Sequence, residues 1–436
     1  MTGSHATDQV FPTMGRAAAI LEQFCLPKDP LSARKLLEGK ASAEVARMAI
    51  NLGTLREKGA SKLPLASRMY LTRKGLEQAT DGRISSWRAH EISRLAPEGV
   101  ILDATCGLGG ETLALLQRGL RVISSDLDPL HAACCAVNRK SAGFTNWALV
   151  SDARFPALHP EVLILDPDRR FKAASSSGGE QGGYASRLDP TAWSPDLTAV
   201  ARLLAKVPAG CVKLPPGVDA NEVESLLDSV APELPRRFTW TESGGDLREL
   251  ALWTGTLAPP SEPSRQAVRL LGGPLTSLGD PVESVRISGF GESLCDEPAL
   301  EPSFSCTDPG SPALRWLVEP RPSVIRAGLI GALARELEIA PIDPYMAYLG
   351  GMQEKPPLHA LSRTYRVIDG APLDKKHVRK MLKEHNVGRL TVKKRGHNAS
   401  ADELAARFRG SGERDGWMVV GRVGRSHRAF LVEPIE

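Results

Sequence analysis

The sequence lacks several features that define common classes of protein. Its seven cysteines form no Cys-x-x-Cys pair and no Cys/His ligand spacing; they are Cys25, Cys106, Cys134, Cys135, Cys211, Cys295 and Cys306. Scattered cysteines in odd number argue against a disulfide framework and a zinc site. No stretch is long and apolar enough to cross a membrane, and the chain opens with no basic-plus-apolar leader. These absences predict a metal-free protein of the reducing cytoplasm without a membrane segment.

A large excess of one charge is missing as well. The net charge is only +4 over 436 residues, so any basic surface for a partner must be local. With 42% hydrophobic and 24% charged residues, the composition is that of a globular protein with ample core. This length predicts two to four domains.

The segment from Val100 to Glu111 is the most informative part of the chain. It predicts a buried strand that ends at Asp103 and runs into a glycine-rich turn opening a helix. The third glycine of a dinucleotide fingerprint would fall at Thr112, and no P-loop lysine follows Gly110. A carboxylate at the strand end would repel a pyrophosphate but accept hydrogen bonds from a cationic amino group. S-adenosylmethionine carries such an ammonium next to its sulfonium.

Three further acidic residues follow predicted strands. Asp126, Asp152 and Asp166 would face one crevice, because strand ends of a parallel sheet share an edge. Asp126 can take both hydroxyls of a ribose, and Asp152 can accept from an adenine amino group. The alternative is that these residues cap helices, and for Asp128, which precedes a proline, the cap is the favoured interpretation.

The chain divides by pattern into four regions. Helical spacing predicts a helical region over residues 1–97, in which the polar run 62–80 either packs on the next domain or covers its ligand. Residues 98–257 alternate strands with helices, which predicts a doubly wound parallel sheet. A Pro-rich linker then precedes a small β-plus-helix region, 264–350, and an α+β domain, 358–436. The strands predicted for residues 98–257 are Val100–Asp103, Arg121–Ser125, Ala148–Val150, Val162–Leu165, Cys211–Leu214, Arg237–Glu242 and Glu249–Thr254, the last two as a possible antiparallel pair.

Residues 166–170 are candidates for chemistry at the fourth strand end. Asp166 can take a proton or orient a nucleophilic nitrogen, and Pro167 stiffens the turn. Arg169 and Arg170 can fork onto phosphate or stack on a base; alternatively they pair with surface carboxylates. The Ser/Gly-rich run 173–183 is either a loop that orders over a substrate or a solvated insertion. Lys213 lies either at the top of the fifth strand or in solvent.

A basic segment near the C-terminus is a candidate nucleic-acid surface. Residues 375–395 hold nine Lys or Arg against one acid, Glu384. In a half-buried strand, Arg389, Thr391, Lys393 and Arg395 would share one face. Such a stripe either contacts a nucleic-acid backbone or is a solvated face. The residues predicted to bind nucleic acid are Lys376, Arg379, Lys380, Arg389, Lys393, Lys394 and Arg395.

Several of these motifs together resemble a known family. The chain is similar along its length to bacterial class I S-adenosylmethionine-dependent methyltransferases with a C-terminal THUMP-like domain. The resemblance is carried by Asp103-Ala-Thr-Cys-Gly-Leu-Gly-Gly, Asp166-Pro-Asp-Arg-Arg, Val212-Lys-Leu-Pro-Pro-Gly-Val-Asp, Leu250-Ala-Leu-Trp, Ile325-Arg-Ala-Gly and Val387-Gly-Arg-Leu-Thr-Val-Lys-Lys-Arg-Gly.

The resemblance implies an α/β fold with a doubly wound, Rossmann-like core, a helical N-terminal region and an α+β THUMP-like domain. It implies S-adenosylmethionine as cofactor and, since THUMP domains bind RNA, RNA as partner. Asp166 and Pro167 would line the methyl-acceptor side. The residues implied to bind the cofactor are Asp103, Gly107 and Gly109 at its methionine end, Asp126 at its ribose and Asp152 at its adenine, together with Thr105, Cys106, Leu127 and Ala153.

The sequence therefore predicts a methyltransferase that acts on a base in structured RNA, such as tRNA or rRNA, with Arg169 and Arg170 positioning a phosphate. An alternative is an RNA-binding protein that binds the cofactor without transferring its methyl group, because the aromatic clamp of related amine methylases is missing after Asp166. A nicotinamide-dependent oxidoreductase is a further alternative, which the absent third glycine disfavours.

Overall fold

The computed structural model describes residues 4–96, 98–156, 158–168, 188–291, 314–344 and 346–435. The chain divides into two compact units, Met1–Glu262 with Leu270–Ser284, and Pro263–Arg269 with Val285–Glu436. Arg169, Arg170 and the predicted loop 173–183 lie outside the described residues. No helix in the described ranges is both long enough and apolar enough to span a membrane.

The first unit begins with five helices and continues with alternating strands and helices. The helices are α1 (Ser4–Gln23), α2 (Pro30–Leu37), α3 (Ala43–Gly59), α4 (Arg73–Gln78), α5 (Gly82–Leu95), α6 (Gly110–Gln117), α7 (Pro129–Ser141), α8 (Leu197–Leu204) and α9 (Ala220–Val230). The strands are β1 (Val100–Asp103), β2 (Arg121–Asp126), β3 (Leu149–Val150), β4 (Val162–Leu165), β5 (Ala209–Leu214), β6 (Arg236–Ser243) and β7 (Asp246–Gly255).

These strands lie in the order β3-β2-β1-β4-β5-β7-β6. The first five are parallel, and β7 runs antiparallel to both β5 and β6. All four residues of β4 are buried, as expected for a strand covered by helices on both faces. The strand order reverses beside β1, where β2 and β4 flank it, and this crevice is where doubly wound sheets bind ligands. The predicted doubly wound core and the antiparallel pair at its end are confirmed.

The second unit is built around another sheet. Its elements are β8 (Arg265–Leu270), β9 (Ser284–Gly289), β10 (Trp316–Pro320), α10 (Pro322–Ala327), α11 (Ile330–Glu336), β11 (Ala340–Asp343), β12 (Met346–Gly351), β13 (Ser362–Pro372), α12 (Lys375–Glu384), β14 (Val387–Lys394), α13 (Ala401–Arg407), β15 (Arg414–Val423) and β16 (Ser426–Pro434). Seven of the unit's strands, all except β8 and β9, form this sheet in the order β11-β12-β10-β13-β16-β15-β14. Strands from the predicted regions 264–350 and 358–436 thus share one sheet, because β10 pairs along its length with β13.

The two faces of this sheet carry different cores. Met418 and Val420 of β15 pack with α12, α13 and the buried side of β14. The intervening Val419 belongs to a second cluster on the opposite face, with Tyr348 and Phe430. This alternation follows from the two-residue period of a strand, so side chains one residue apart on β14 also face opposite sides.

Candidate functional site

A cavity of about 780 Å³ opens at the carboxyl ends of the parallel strands in the first unit. That volume lies in the range of small-molecule sites. Its wall combines the glycine turn after β1, the ends of β2, β4 and β5, and residues of the N-terminal helical region. Of the nine residues predicted to bind the cofactor, eight line the cavity: Asp103, Thr105, Cys106, Gly107, Asp126, Leu127, Asp152 and Ala153.

The ninth residue, Gly109, supports the glycine turn from behind. Its φ is +84°, and a β-carbon there would lie 3.0 Å from Cys135 Sγ. Gly107 also has a positive φ, +52°, but its missing side chain would meet no atom within 4 Å. Both positions need glycine for the backbone, and only Gly109 also needs it for space.

Asp126 fixes the turn in place. Its Oδ2 accepts from the Gly107 N–H at 2.8 Å, and its Oδ1 accepts from the Asp128 N–H at 2.9 Å. Burial raises the pKa of Asp126. Each carboxylate oxygen keeps a lone pair for a ligand hydroxyl in the cavity. Asp128 caps α7 by accepting from the Leu130 N–H at 2.9 Å, which confirms its predicted role.

Asp103 lies deeper, at 2% exposure. Its Oδ2 accepts from Thr112 Oγ1 at 2.6 Å. Burial raises the pKa of Asp103 to about 6, and the hydrogen bond from Thr112 opposes this rise. A cation placed in the cavity would favour the ionised carboxylate, because opposite charges attract strongly away from water.

Asp152 lines the cavity with 25% of its side chain exposed. Its carboxylate accepts a hydrogen bond of 2.6 Å from Arg154 Nη2, and this partner lowers the pKa of Asp152. The residue therefore lines the cavity as an ionised group whose charge is partly balanced.

The turn after β4 forms the other side of the cavity. The Asp166 N–H donates to Thr105 Oγ1 at 2.7 Å, which joins this turn to the one after β1. Asp166 Oδ2 accepts from Lys213 Nζ at 2.6 Å, and the same ammonium donates to Thr80 Oγ1 at 3.0 Å. Lys213 thus lies at the strand top and not in solvent, with 13% of its side chain exposed. Pro167, also predicted here, is buried in the wall.

Residues 62–80 form a wall that sequence reasoning only partly anticipated. The side chain of Asn138 accepts from the Tyr70 N–H at 2.6 Å and donates to Leu108 O at 2.9 Å. Lys74 and Gln78 of α4 reach Asp168, at 3.7 and 3.5 Å. The run therefore packs on the core, as the first of the two predicted alternatives states, and it also lines the cavity.

The cavity wall contains a buried network of ion pairs that the sequence did not predict. Arg88 of α5 donates to Glu111 Oε2 at 2.6 Å and also bonds Glu249 of β7. These two acids hold the pKa of Arg88 well above its usual value although burial opposes the charge. Burial raises the pKa of Glu111 to about 7. Glu111 Oε1 is buried and has no hydrogen-bond partner in the described part of the chain.

The predicted nucleic-acid residues divide between two sides of the second sheet. Lys376, Arg379 and Lys380 lie on the exposed side of α12, whereas Arg389 is exposed on the opposite face of β14 from the helices. The alternation predicted for β14 is confirmed by its burial pattern. Lys394 is exposed and donates to His397 O at 2.8 Å.

The prediction of one continuous basic stripe needs a correction at its far end. Lys393 Nζ lies 2.6 Å from Glu319 Oε2, and Arg395 lies 3.5 Å from the other oxygen of that carboxylate. Glu319 also accepts from Tyr365 at 3.0 Å. The strand turns these two cations toward an acid of β10, which no local pattern around residue 390 could reveal.

Comparisons with known proteins agree with this architecture. Residues 362–434 match the family model described as THUMP domain-like. Two uncharacterized S-adenosylmethionine-dependent methyltransferases from Mycobacterium tuberculosis strains CDC 1551 and H37Rv are each 27% identical over 393 residues, covering 89% of this chain and 91% of theirs. The crystal structure of a Porphyromonas gingivalis W83 protein with a provisional methyltransferase designation has the same fold, with a TM-score of 0.67 at 16% identity over 98% of this chain and 99% of that one. The chain thus has the fold of a solved protein designated a methyltransferase, carries a C-terminal THUMP-like domain and is similar along most of its length to S-adenosylmethionine-dependent methyltransferases, as its sequence motifs predicted.

Proposed function

We propose that this methyltransferase modifies structured RNA, with S-adenosylmethionine held in the cavity of the first unit. The observation that carries this proposal is that one cavity joins the predicted cofactor residues to the Asp166–Lys213 pair. Support for RNA comes from the THUMP-like match and from the exposed cations of the second unit. The sequence predicts a base as the accepting group.

The residues of the cavity fit this cofactor. Bound S-adenosylmethionine would supply an electrophilic methyl group on a sulfonium. The unpartnered Glu111 Oε1 can accept a hydrogen bond from an ammonium, and Asp103 adds negative charge nearby. Asp126 retains lone pairs for ribose hydroxyls, and Asp152 would accept from the adenine amino group.

Catalysis would then depend mainly on placement. Thr105 ties the cofactor side of the cavity to the turn that carries Asp166. Asp166 would orient the accepting group toward the methyl carbon. Holding two reactants in such geometry contributes about 7–11 kcal/mol to lowering a barrier when alignment is good.

The test is labelling with a radioactive methyl donor. Wild-type protein and Asp166→Ala are incubated with donor and with RNA from a strain that lacks the gene, and donor binding is measured by calorimetry. We expect label in RNA from wild-type protein, and at least a tenfold loss for Asp166→Ala with donor binding retained. Unchanged labelling by the variant would refute the role of Asp166. Donor binding by the wild type without label in RNA would instead support the alternative of a cofactor-binding RNA-binding protein.

A further inference from the structure

Three lysines line the cavity that holds Asp166: Lys62, Lys74 and Lys213. Lys213 projects from β5 and Lys62 from the segment that follows α3, and both line the cavity together with Thr80. Two of the three lysines have a carboxylate within ion-pair distance: Lys213 has Asp166 at 2.6 Å, and Lys74 has Asp168 at 3.7 Å. Lys62 Nζ instead donates to two backbone carbonyls at the end of α4, Leu76 O at 2.9 Å and Glu77 O at 3.2 Å.

An uncharged amine at Lys62 can keep both contacts. A neutral amine keeps two N–H donors, enough for both carbonyls, and gains a lone pair. Burial lowers the pKa of Lys62, and the positive charge of Lys213 lowers it further. Arg248 also lowers the pKa of Lys62, whereas the carboxylates of Asp81 and Asp166 raise it.

The polar groups beside Asp166 suit a hydroxyl as the accepting group. Enzymes that act on an extruded base hold it between aromatic or apolar side chains. Among the described residues that line the cavity there is no phenylalanine, tyrosine or tryptophan. The side-chain contacts of this pair are polar: Lys213 Nζ donates to Asp166 Oδ2 and Thr80 Oγ1, and the Asp166 N–H donates to Thr105 Oγ1. A hydroxyl acceptor needs a proton acceptor and a nearby cation, because its oxygen loses a proton as it gains the methyl group.

We propose that the accepting group is the ribose 2′-hydroxyl of RNA, that Lys62 Nζ takes its proton, and that Lys213, held by Asp166, stabilises the negative charge on the oxygen. This inference rests on the proposed RNA function and replaces the base that the sequence predicts. The 2′-oxygen forms a bond to the methyl carbon while the methyl–sulfur bond breaks, and that electron pair remains on sulfur. The hydroxyl proton passes to Lys62, which becomes an ammonium and later returns the proton to solvent.

The first experiment identifies the product. RNA labelled by the wild-type enzyme is digested to nucleosides, which are separated by chromatography and identified by mass spectrometry. We expect the methyl group on ribose, together with a labelled dinucleotide that resists alkaline hydrolysis. A methyl group on a base overturns this inference and leaves the proposed RNA function standing. Absence of label from RNA overturns both.

The second experiment separates a proton acceptor from a structural lysine. Lys62→Arg retains donors for both carbonyls, but a guanidinium stays charged at any usable pH. We expect an unchanged melting temperature and donor affinity, a rate 10²- to 10⁴-fold lower, and loss of the wild-type rise of rate with pH. Lys58→Arg, on the exposed side of α3, is the matched control and should behave as wild type. A Lys62→Arg enzyme with wild-type rate and pH profile would overturn the assignment.

A third measurement does not depend on turnover. Competitive labelling with acetic anhydride in cofactor-free protein, followed by mass spectrometry, gives the pKa of individual lysines. We expect the pKa of Lys62 to lie below the ordinary value of a lysine side chain. An ordinary lysine pKa for Lys62 would remove the basis for proton acceptance by this residue.

Discussion

The glycine turn after β1 allows a quantitative test of how the cofactor cavity is built. Replacing Gly109 by alanine forces a side chain onto a backbone with φ of +84° and brings the new methyl group 3.0 Å from Cys135 Sγ. Gly107→Ala is a matched control on the same turn, because its φ is also positive but no atom lies within 4 Å. The two substitutions share the backbone effect and differ in the steric one.

The expected magnitudes follow from these two contributions. A left-handed backbone costs an alanine about 1–2 kcal/mol relative to glycine, and this cost applies to both variants. Overpacking a buried site adds about 1–3 kcal/mol, and only Gly109→Ala incurs it. We therefore expect about 1–2 kcal/mol of destabilisation for Gly107→Ala and about 2–5 kcal/mol for Gly109→Ala. Adding Cys135→Ala should restore about 1–3 kcal/mol, because it removes the atom that the new methyl group meets.

Urea denaturation followed by tryptophan fluorescence gives the free energies of unfolding, and calorimetry gives donor affinity. The four proteins of the Gly109/Cys135 double-mutant cycle are measured alongside Gly107→Ala. If Gly109→Ala is no more destabilised than Gly107→Ala, or if Cys135→Ala does not relieve it, the described packing of the turn is wrong.

Three further outcomes are expected. Burial raises the folded-state pKa of Asp103 from 3.8 to about 6, so the protonated carboxyl contributes roughly 3 kcal/mol to the free energy of unfolding below pH 4. This contribution is lost as the pH rises through 6. Urea unfolding of wild type and Asp103→Asn, compared from pH 4 to 7, should reveal the loss. Arg88→Met leaves Glu249, 1% exposed, as an uncompensated buried charge and should cost about 3–5 kcal/mol in the same assay; a loss under 1 kcal/mol would contradict the network. RNA-binding titrations give the slope of log affinity against log salt concentration, and Arg389→Ala should lower the magnitude of this slope by about 1. Lys393→Ala should change the slope less, because a carboxylate of β10 already neutralises that ammonium. Equal slopes for the two variants would argue against this pairing.

The parts of this structure that the sequence predicts well are those with local signals. The run Val162–Leu165 is wholly apolar, and the strand found there has the predicted bounds. Asp128 before a proline predicts a helix cap, and the cap is present. Acids at strand ends predict one crevice, and Asp103, Asp126 and Asp166 do line one cavity. In each case a few neighbouring residues determine the outcome.

The rest of the cavity depends on pairs of residues that are remote in the sequence. The hydrogen bond from Lys213 to Thr80 joins residues 133 apart, and the pairing of Arg88 with Glu249 spans 161 residues. An arginine in a helix and a glutamate in a strand are each ordinary as local patterns. Only tertiary packing makes them one buried network, so no periodicity or motif could have indicated it. The first unit therefore builds its cavity from two regions, and the acceptor side depends on the N-terminal helices as much as on the sheet that carries the recognisable motifs.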